Sequence, residues 1–538
     1  MQKILSLIAI LAILSSCDKQ NSEDKRPNII LIMSDDMGYS DLGCYGGEIS
    51  TPNLDQLAKN GLRFTQFYNA ARCCPTRASL MTGLYPHQAG IGHMTNTPEN
   101  PSSHDYGLPG YQGFLKSNTN TIAEVLKPAG YQTYMAGKWH LGMQDSTMWP
   151  LQRGFEKFYG ILAGATNYFK PEGQRGITSQ NDQIEITDPD YYTTDAFTTT
   201  AIGFIDQGIR NEKPFFLYLA YNAPHWPLNA PADLIEKYKG KYLSGWANLR
   251  RERYQRMLDM GLVDKNWMIS EDDAPDWDSL ADTLKQEMDL RMAIYAAQIE
   301  SMDQNIGRLT SYLKSREIFD ETIIVFINDN GACAEGGTFG GGNKKILETE
   351  GGYFLTYGRS WANASNTPYR EYKHYVHEGG ISSPLIVSWP DGIDKQKNGS
   401  LVRTQCFLPD IMATFTDLAG GTYHLDQNGI TIPQMAGVSL VPLISGAEIN
   451  ADRPIFWEHE GNKAIRLGDF KLVSKWNYNG PQKWELYNIK EDRTELNDLS
   501  ELIPDKVAEL STLWDDWAAS HQVAPWSEIL EIQKARRN

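Results

Sequence analysis

Asn28-Ile29-Ile30-Leu31-Ile32-Met33-Ser34-Asp35-Asp36 carries an unbroken apolar run straight into a pair of acids. Apolar residues in succession, without the polar alternation of a half-exposed strand, fit a strand buried on both faces of a parallel sheet. The same design returns in Thr322-Ile323-Ile324-Val325-Phe326-Ile327-Asn328, closed by Asp329-Asn330-Gly331, and in Phe215 to Tyr221, closed by Asn222-Ala223-Pro224-His225. Further strands are predicted at Tyr131 to Ala136 and Pro384 to Trp389. Helical patterns around Asn53 to Asn60, Ile122 to Ala129, Thr193 to Gly208 and Leu280 to Ser315 separate them, the alternation expected of an α/β fold. Such sheets bind ligands beyond the carboxyl ends of their strands, which groups Asp35, Asp36, His225, Asp329 and Asn330 at one edge.

Working outward, the 538 residues are 41% hydrophobic, enough for a large core. They read as an α/β domain over residues 27–450, with a large mixed, mostly parallel sheet flanked by helices. A smaller unit follows over 451–538: strands at Pro454 to Glu458, Lys463 to Leu467, Phe470 to Ser474 and Trp484 to Asn488 predict an antiparallel sheet, with a helix from Pro504 to Ser520. The formal net charge of −17 argues against nonspecific nucleic-acid binding, so an anionic ligand must meet a local cationic pocket.

Residues 1–26 read as an export segment and tether. Lys3 precedes an apolar run from Ile4 to Leu14 that is too short to span a bilayer as a mature helix. Leu14-Ser15-Ser16-Cys17 resembles a bacterial lipobox, which implies lipidation of Cys17, membrane contact only through that anchor, and a periplasmic or outer-membrane location. Ordinary signal-peptide cleavage is the alternative; either route takes the protein out of the cytoplasm.

Four motifs carry the chemistry. In Arg72-Cys73-Cys74-Pro75-Thr76-Arg77-Ala78-Ser79-Leu80-Met81-Thr82-Gly83, Pro75 and Thr76 suit a first helical turn and Ala78 to Met81 continue it. Cys73 then falls at a helix N-terminus, where unpaired N–H groups favour an anion, with Arg77 one turn on. A lone Cys-x-Pro would read as a buried cysteine pair. Asp35-Asp36 and Asp329-Asn330 supply hard oxygen donors that suit calcium better than zinc, because no His/Cys cluster lies close in sequence. Either pair by itself is an ordinary turn or cap. Gly137-Lys138-Trp139-His140 follows a strand, and alternation turns Lys138 and His140 to the same side. Ala223-Pro224-His225-Trp226-Pro227, taken alone, is a rigid turn.

Together with Lys373, five residues before Glu378-Gly379-Gly380, these motifs stand in the order found in type I sulfatases of the alkaline-phosphatase superfamily. The chain resembles that family from Asn28 to the C-terminal sheet. The resemblance implies that a formylglycine-generating maturation enzyme oxidises Cys73 to Cα-formylglycine, whose hydrate is the nucleophile. It implies calcium between Asp35, Asp36, Asp329, Asn330 and residue 73, with Arg77 steadying the hydrate and Lys138 and Lys373 on the sulfate group. His225 or Lys373 would protonate the leaving alcohol, and His140 would help expel sulfate and restore the aldehyde. Thr76 stands where serine is commoner, and Ile381-Ser382-Ser383 follows Glu378-Gly379-Gly380 where many members carry an arginine. With Cys17 and Cys73 so assigned, Cys44, Cys74, Cys333 and Cys406 remain, and one disulfide among them is left open.

Specificity is expected from loops around the strand ends. The candidates are His87, His93, His104 and Tyr106, and, in the Gly- and aromatic-rich excursion from Glu335 to Tyr372, Trp361, Asn363, Tyr369 and Tyr372. Aromatic faces with polar tips suit a sugar ring, though the same residues would equally pack a loop. An exported, tethered sulfatase suits sulfated saccharides, with aryl sulfates also turned over because phenolates leave easily. A phosphomonoesterase or phosphonate hydrolase of the same superfamily would favour a Ser or Thr nucleophile with further His/Asp metal ligands. A noncatalytic glycan-binding lipoprotein would be expected to lack Cys73, Lys138 or His225, all of which are present.

Overall fold

A computed structural model describes residues 26–352, 354–427, 429–449 and 452–537; the lipobox and Cys17 lie outside these residues. An eleven-stranded sheet organises the chain. In sequence its strands are β1 (Asn28–Ser34), β2 (Leu62–Tyr68), β3 (Gln132–Lys138), β4 (Lys157–Ile161), β5 (Ile177–Ser179), β6 (Asp182–Ile184), β7 (Phe215–Ala220), β8 (Thr322–Asn328), β9 (Ser382–Ser388), β10 (Ser400–Val402) and β11 (Cys406–Phe407). In space the order is β10-β2-β9-β8-β1-β7-β3-β4-β5-β6, with β11 beside β2.

The opening stretch takes the centre. β1 runs parallel to both β7 and β8, and Ile29 to Met33 are fully buried. Ile29, Leu31 and Met33 enter one apolar layer while Ile30 and Ile32 enter the other, so the continuous run feeds two cores at once. β3 is parallel to β7 and β4, whereas β9 is antiparallel to β8 and β2. Register then aligns the strand ends: Ser34 faces Asn328, and Met33 and Gly137 both face Ala220. Asp35, Asp329 and Lys138 each follow at the same edge.

Helices sit where periodicity placed them, with Pro52–Lys59, Thr193–Ile209 and a long Asp282–Ser315. The expected helix from Ile122 to Ala129 is shorter, Ile122–Leu126, opened by a capping box at Thr121 and Glu124 and ended by the following Lys127-Pro128. The excursion from Glu335 to Tyr372 is not wholly irregular, since Arg359–Ser365 is helical.

Four C-terminal strands, Ile455–His459, Asn462–Leu467, Phe470–Ser474 and Glu485–Asn488, form a consecutive antiparallel sheet covered by the helix Pro504–Ser520. A further helix, Trp526–Arg537, was not legible in the sequence; its Trp526 and Ile529 pack on Tyr106 and Tyr111. The small sheet shares an apolar core with one face of the large one. Buried charge also joins them: Glu378 lies 3.0 Å from Lys471 and 2.7 Å from Arg493, and Lys471 lies 2.8 Å from Glu495. Removing one partner of such a cluster strands the others away from water. Glu378→Ala is accordingly expected to lower unfolding free energy by about 3–5 kcal/mol, checked by denaturant titration of variant against parent.

Candidate active site

The helix Cys73–Thr82 is buried along its whole length and begins on Cys73. Its entry turn is held by the Thr76 hydroxyl, which accepts the Ala70 N–H at 2.9 Å, a contact that serine could equally make. Arg77, one turn into the helix, aims its guanidinium at the strand ends. Its Nη2 donates to Asp329 Oδ2 at 3.0 Å and lies 3.7 Å from Asp35 Oδ1, while Nη1 donates to the Lys138 carbonyl and the Tyr218 hydroxyl. Lys138, the last residue of β3, meets Asp35 Oδ2 at 2.5 Å. Gly137 precedes it because a Cβ there would lie 1.9 Å from the Ala220 carbonyl oxygen.

A second group surrounds Asp36. Its backbone N–H donates to Asp329 Oδ1 at 3.0 Å, Asn330 donates to its Oδ1 at 2.7 Å, and Lys373 donates to its Oδ2 at 2.8 Å. His225 Nε2 lies 3.4 Å from the same oxygen and 3.5 Å from Lys373 Nζ. His225 Nδ1 sits 2.7 Å from the Trp226 carbonyl, which assigns the proton to Nδ1 and leaves the Nε2 lone pair on the site.

The charges in this pocket shift one another. Burial, with repulsion from Asp329, drives the Asp35 carboxyl well above its ordinary range against Lys138 and Arg77. Burial also opposes ionisation of Asp36, but Lys373 and His225 overcome it and hold that carboxyl below its ordinary range. A hydrogen bond from Cys74 lowers the Cys73 thiol well below its usual value despite burial, with His140, Lys138 and Lys373 assisting. Burial brings His140 and His225 down to about 4, so both imidazoles are neutral near pH 7.

Two buried oxygens, Asp35 Oδ1 and Asn330 Oδ1, have no hydrogen-bond partner. A buried acceptor of that kind is costly unless something satisfies it. Together with Asp36 and Asp329 they form an all-oxygen donor set that fits a hard divalent cation.

The sequence-derived catalytic and metal candidates thus converge: Asp35, Asp36, Cys73, Arg77, Lys138, His140, His225, Asp329, Asn330 and Lys373 share one site. Above it opens a cleft lined by Cys73, His140, His225 and Lys373, and by Arg72, Asn96, His104, Arg175, Trp226 and Glu335. Of the specificity candidates His104 alone lines it. His87 lies under the small sheet, paired with Glu458 at 2.7 Å, and His93 pairs with Glu460 at 2.8 Å. Tyr106 bonds His93 and, with His104, borders a separate polar groove. Trp361 and Asn363 are buried in the helix Arg359–Ser365, where the Trp361 indole donates to the Met288 carbonyl among Tyr242, Trp246 and Trp277. Tyr369 and Tyr372 are buried too, the latter bonding Asp273. These aromatics fill the core instead of the cleft.

Sequence reasoning assigned no role to Arg72, Trp226 or Glu335. Trp226 packs on His225 and donates to Glu335 at 2.7 Å, and Arg72 pairs with Glu335 at 3.1 Å. Trp226 adjoins His225 and Arg72 adjoins Cys73, which were the available signals. Among the described residues Cys44, Cys73, Cys74, Cys333 and Cys406 are free and buried, so none of the open pairings forms a disulfide.

Residues 27–421 match the family described as Sulfatase, and residues 370–512 match N-sulphoglucosamine sulphohydrolase, C-terminal. An uncharacterized sulfatase of Schizosaccharomyces pombe is 34% identical over 531 residues, covering 92% of this chain and 94% of that protein. An arylsulfatase of Klebsiella aerogenes is 33% identical over 445 residues, covering 78% and 92%. The crystal structure of Ps i-CgsB in complex with k-i-k-neocarrahexaose superposes with a TM-score of 0.69 at 26% identity, over 93% of this chain and 94% of that one. The chain belongs to the sulfatase family, as a type I sulfatase of the alkaline-phosphatase superfamily. Its reaction is hydrolysis of a sulfuric ester, and the family generally uses formylglycine and a divalent metal.

Lys138→Met removes a fully buried cation from this site. We expect sulfate-ester turnover to fall roughly 10²–10³-fold, mainly in kcat, measured as released sulfate on protein shown to be folded by circular dichroism.

Proposed function

We propose that residue 73 is matured to Cα-formylglycine, that calcium is held by Asp35, Asp36, Asp329 and Asn330, and that the natural substrate is a sulfated saccharide, with small aryl sulfates also turned over. The observation that carries this reading is residue 73 at a helix N-terminus, facing a donor set in which Asp35 Oδ1 and Asn330 Oδ1 lack any hydrogen-bond partner. When present, the matured side chain would supply a hydroxyl nucleophile and calcium a positive charge against the oxygens of the sulfuryl group.

The remaining work falls to residues of this chain. Lys138 and Lys373 flank position 73 and offset negative charge on an ester sulfate at the cleft floor. Arg77 clamps Asp329 and Asp35 in one orientation, so those carboxylates need not reorganise during reaction. Lys373 keeps its proton because Asp36 and Glu335 overcome the effect of burial, and its Nζ lies 3.5 Å from the His225 lone pair. The two can hold and pass the proton that a leaving alkoxide needs. His140 is neutral beside residue 73 and accepts a proton there. Trp226 lines the cleft wall between His225 and Phe354, an aromatic of the kind that suits a sugar ring; similarity to a protein solved with neocarrahexaose supports a saccharide. Export and lipid attachment at Cys17 belong to the same proposal and rest on Leu14-Ser15-Ser16-Cys17.

The test combines mass spectrometry at residue 73 with sulfate release from defined sulfated saccharides and an aryl sulfate. An aldehyde at residue 73 is expected, with turnover that chelation removes and added calcium restores. Cys73→Ala should lower turnover by at least about 10⁴-fold. Full turnover in that variant, or release of phosphate but no sulfate by matured protein, would overturn the reading.

A further inference from the structure

We propose that His374, His459 and Glu460 form a zinc site at the seam between the loop carrying Lys373 and the small antiparallel sheet, outside the sulfatase cleft. One ligand atom from each of the three residues lies within 4.8 Å of the other two. His374 Nδ1 is 3.0 Å from Glu460 Oε2, and His459 Nε2 is 3.5 Å from Glu460 Oε1. Donors around a tetrahedral zinc at ordinary bond lengths stand about 3.3 Å apart, so the two histidines, which approach different oxygens of Glu460, close in on one ion by side-chain rotation from separations of at most 4.8 Å. Two imidazoles and one carboxylate are a nitrogen-rich set that suits zinc better than calcium, and a water can complete the coordination.

A purely protein explanation exists for part of the cluster. Glu460 could be a carboxylate on which His93, at 2.8 Å, and His374 converge as donors. It accounts poorly for His459, which is fully buried and has no well-formed hydrogen bond on either ring nitrogen, its Nε2 making only the 3.5 Å approach to Glu460. Burial lowers its affinity for a proton, so its lone pair is available.

The surroundings are built like those of a metal site. His93 holds one carboxylate oxygen of Glu460, its own Nδ1 lies 3.2 Å from the Tyr106 hydroxyl, and Gln533 donates to that hydroxyl at 2.8 Å. This relay fixes the carboxylate. His374 and Glu460 both take positive φ, 90° and 50°, uncommon for residues with side chains and retained where the surroundings over-determine them. Side chains of His374 and Glu460 remain 24% and 17% exposed, which leaves a route for the ion. For Nδ1 to bind zinc, the neutral His374 ring carries its single proton on Nε2 instead of Nδ1, and only a weak 3.4 Å contact from Asn462 to Nε2 opposes that tautomer. The His374 N–H also donates to the Ala71 carbonyl at 2.7 Å. Zinc here would tie Lys373 and the turn before Cys73 to the sheet.

Matured protein in calcium-containing buffer, equilibrated with micromolar free Zn(II), is expected to retain one zinc per chain by elemental mass spectrometry. Co(II) in its place should give visible ligand-field bands without a thiolate charge-transfer band. His374→Gln and His459→Gln should each weaken zinc binding at least about 100-fold, more than loss of a supporting hydrogen bond alone would do. Circular dichroism checks folding; if the buried His459 variant does not fold, the partly exposed His374 variant decides. The proposal fails if no zinc is retained or if both folded variants bind it as the parent does. It also fails if a thiolate band places the metal on cysteine, whether Cys74 beside His140 or, in any unmatured fraction, the cluster of Cys73, Cys74 and His140.

Discussion

Three carboxylates and three cations, Asp35, Asp36 and Asp329 with Arg77, Lys138 and Lys373, are sealed from solvent at one edge of the sheet. Each would cost several kcal/mol if buried without a partner, so none can be moved independently of the others. The set is neutral in formal charge, and a divalent cation on its oxygen donors would make it positive. That excess is what an anionic ester requires from a protein whose overall charge is −17. Local charge at the strand ends, and not the composition of the surface, decides what this protein can bind.

The register of the central strands creates that constraint. Because β1 lies between β7 and β8 with all three parallel, residues just beyond their ends emerge side by side. Close backbone contact then locks the loops. A Cβ on Gly331 would sit 1.8 Å from the Gly379 carbonyl oxygen, and the Gly331 N–H donates to the Gly380 carbonyl. Asp-Asn-Gly and Glu-Gly-Gly are thus two halves of one packing contact. Their glycines position Asp329 and Asn330 at the strand end without taking part in chemistry.

β1, β8 and the strand Phe470–Ser474 have the bounds their sequences predict, since apolar runs ending in polar residues leave little freedom of assignment. Most of the site was legible for the same reason, since its residues stand at strand ends or at the start of a helix; Lys373, in a loop, was placed only by the family resemblance. Trp361 and Asn363 were not legible, because an aromatic or amide in a glycine-rich excursion has the same composition whether it faces solvent or core. Trp361 turns inward because a short helix forms around it. His374 and Glu460 meet only through packing of the small sheet on the large one, a contact that no local pattern encodes.

That packing makes the C-terminal sheet part of the active-site architecture. Glu378 begins the short helix after the Lys373 loop and is held by Lys471 from the small sheet and Arg493 just beyond it. Arg493 also donates to the Ser382 hydroxyl at 3.1 Å. Lys373 is fixed at one end by its backbone bond to the Ala332 carbonyl and at the other by this buried network. Its ammonium meets Asp36 at 2.8 Å, and the loop that carries it runs into Glu378, which the small sheet holds through Lys471.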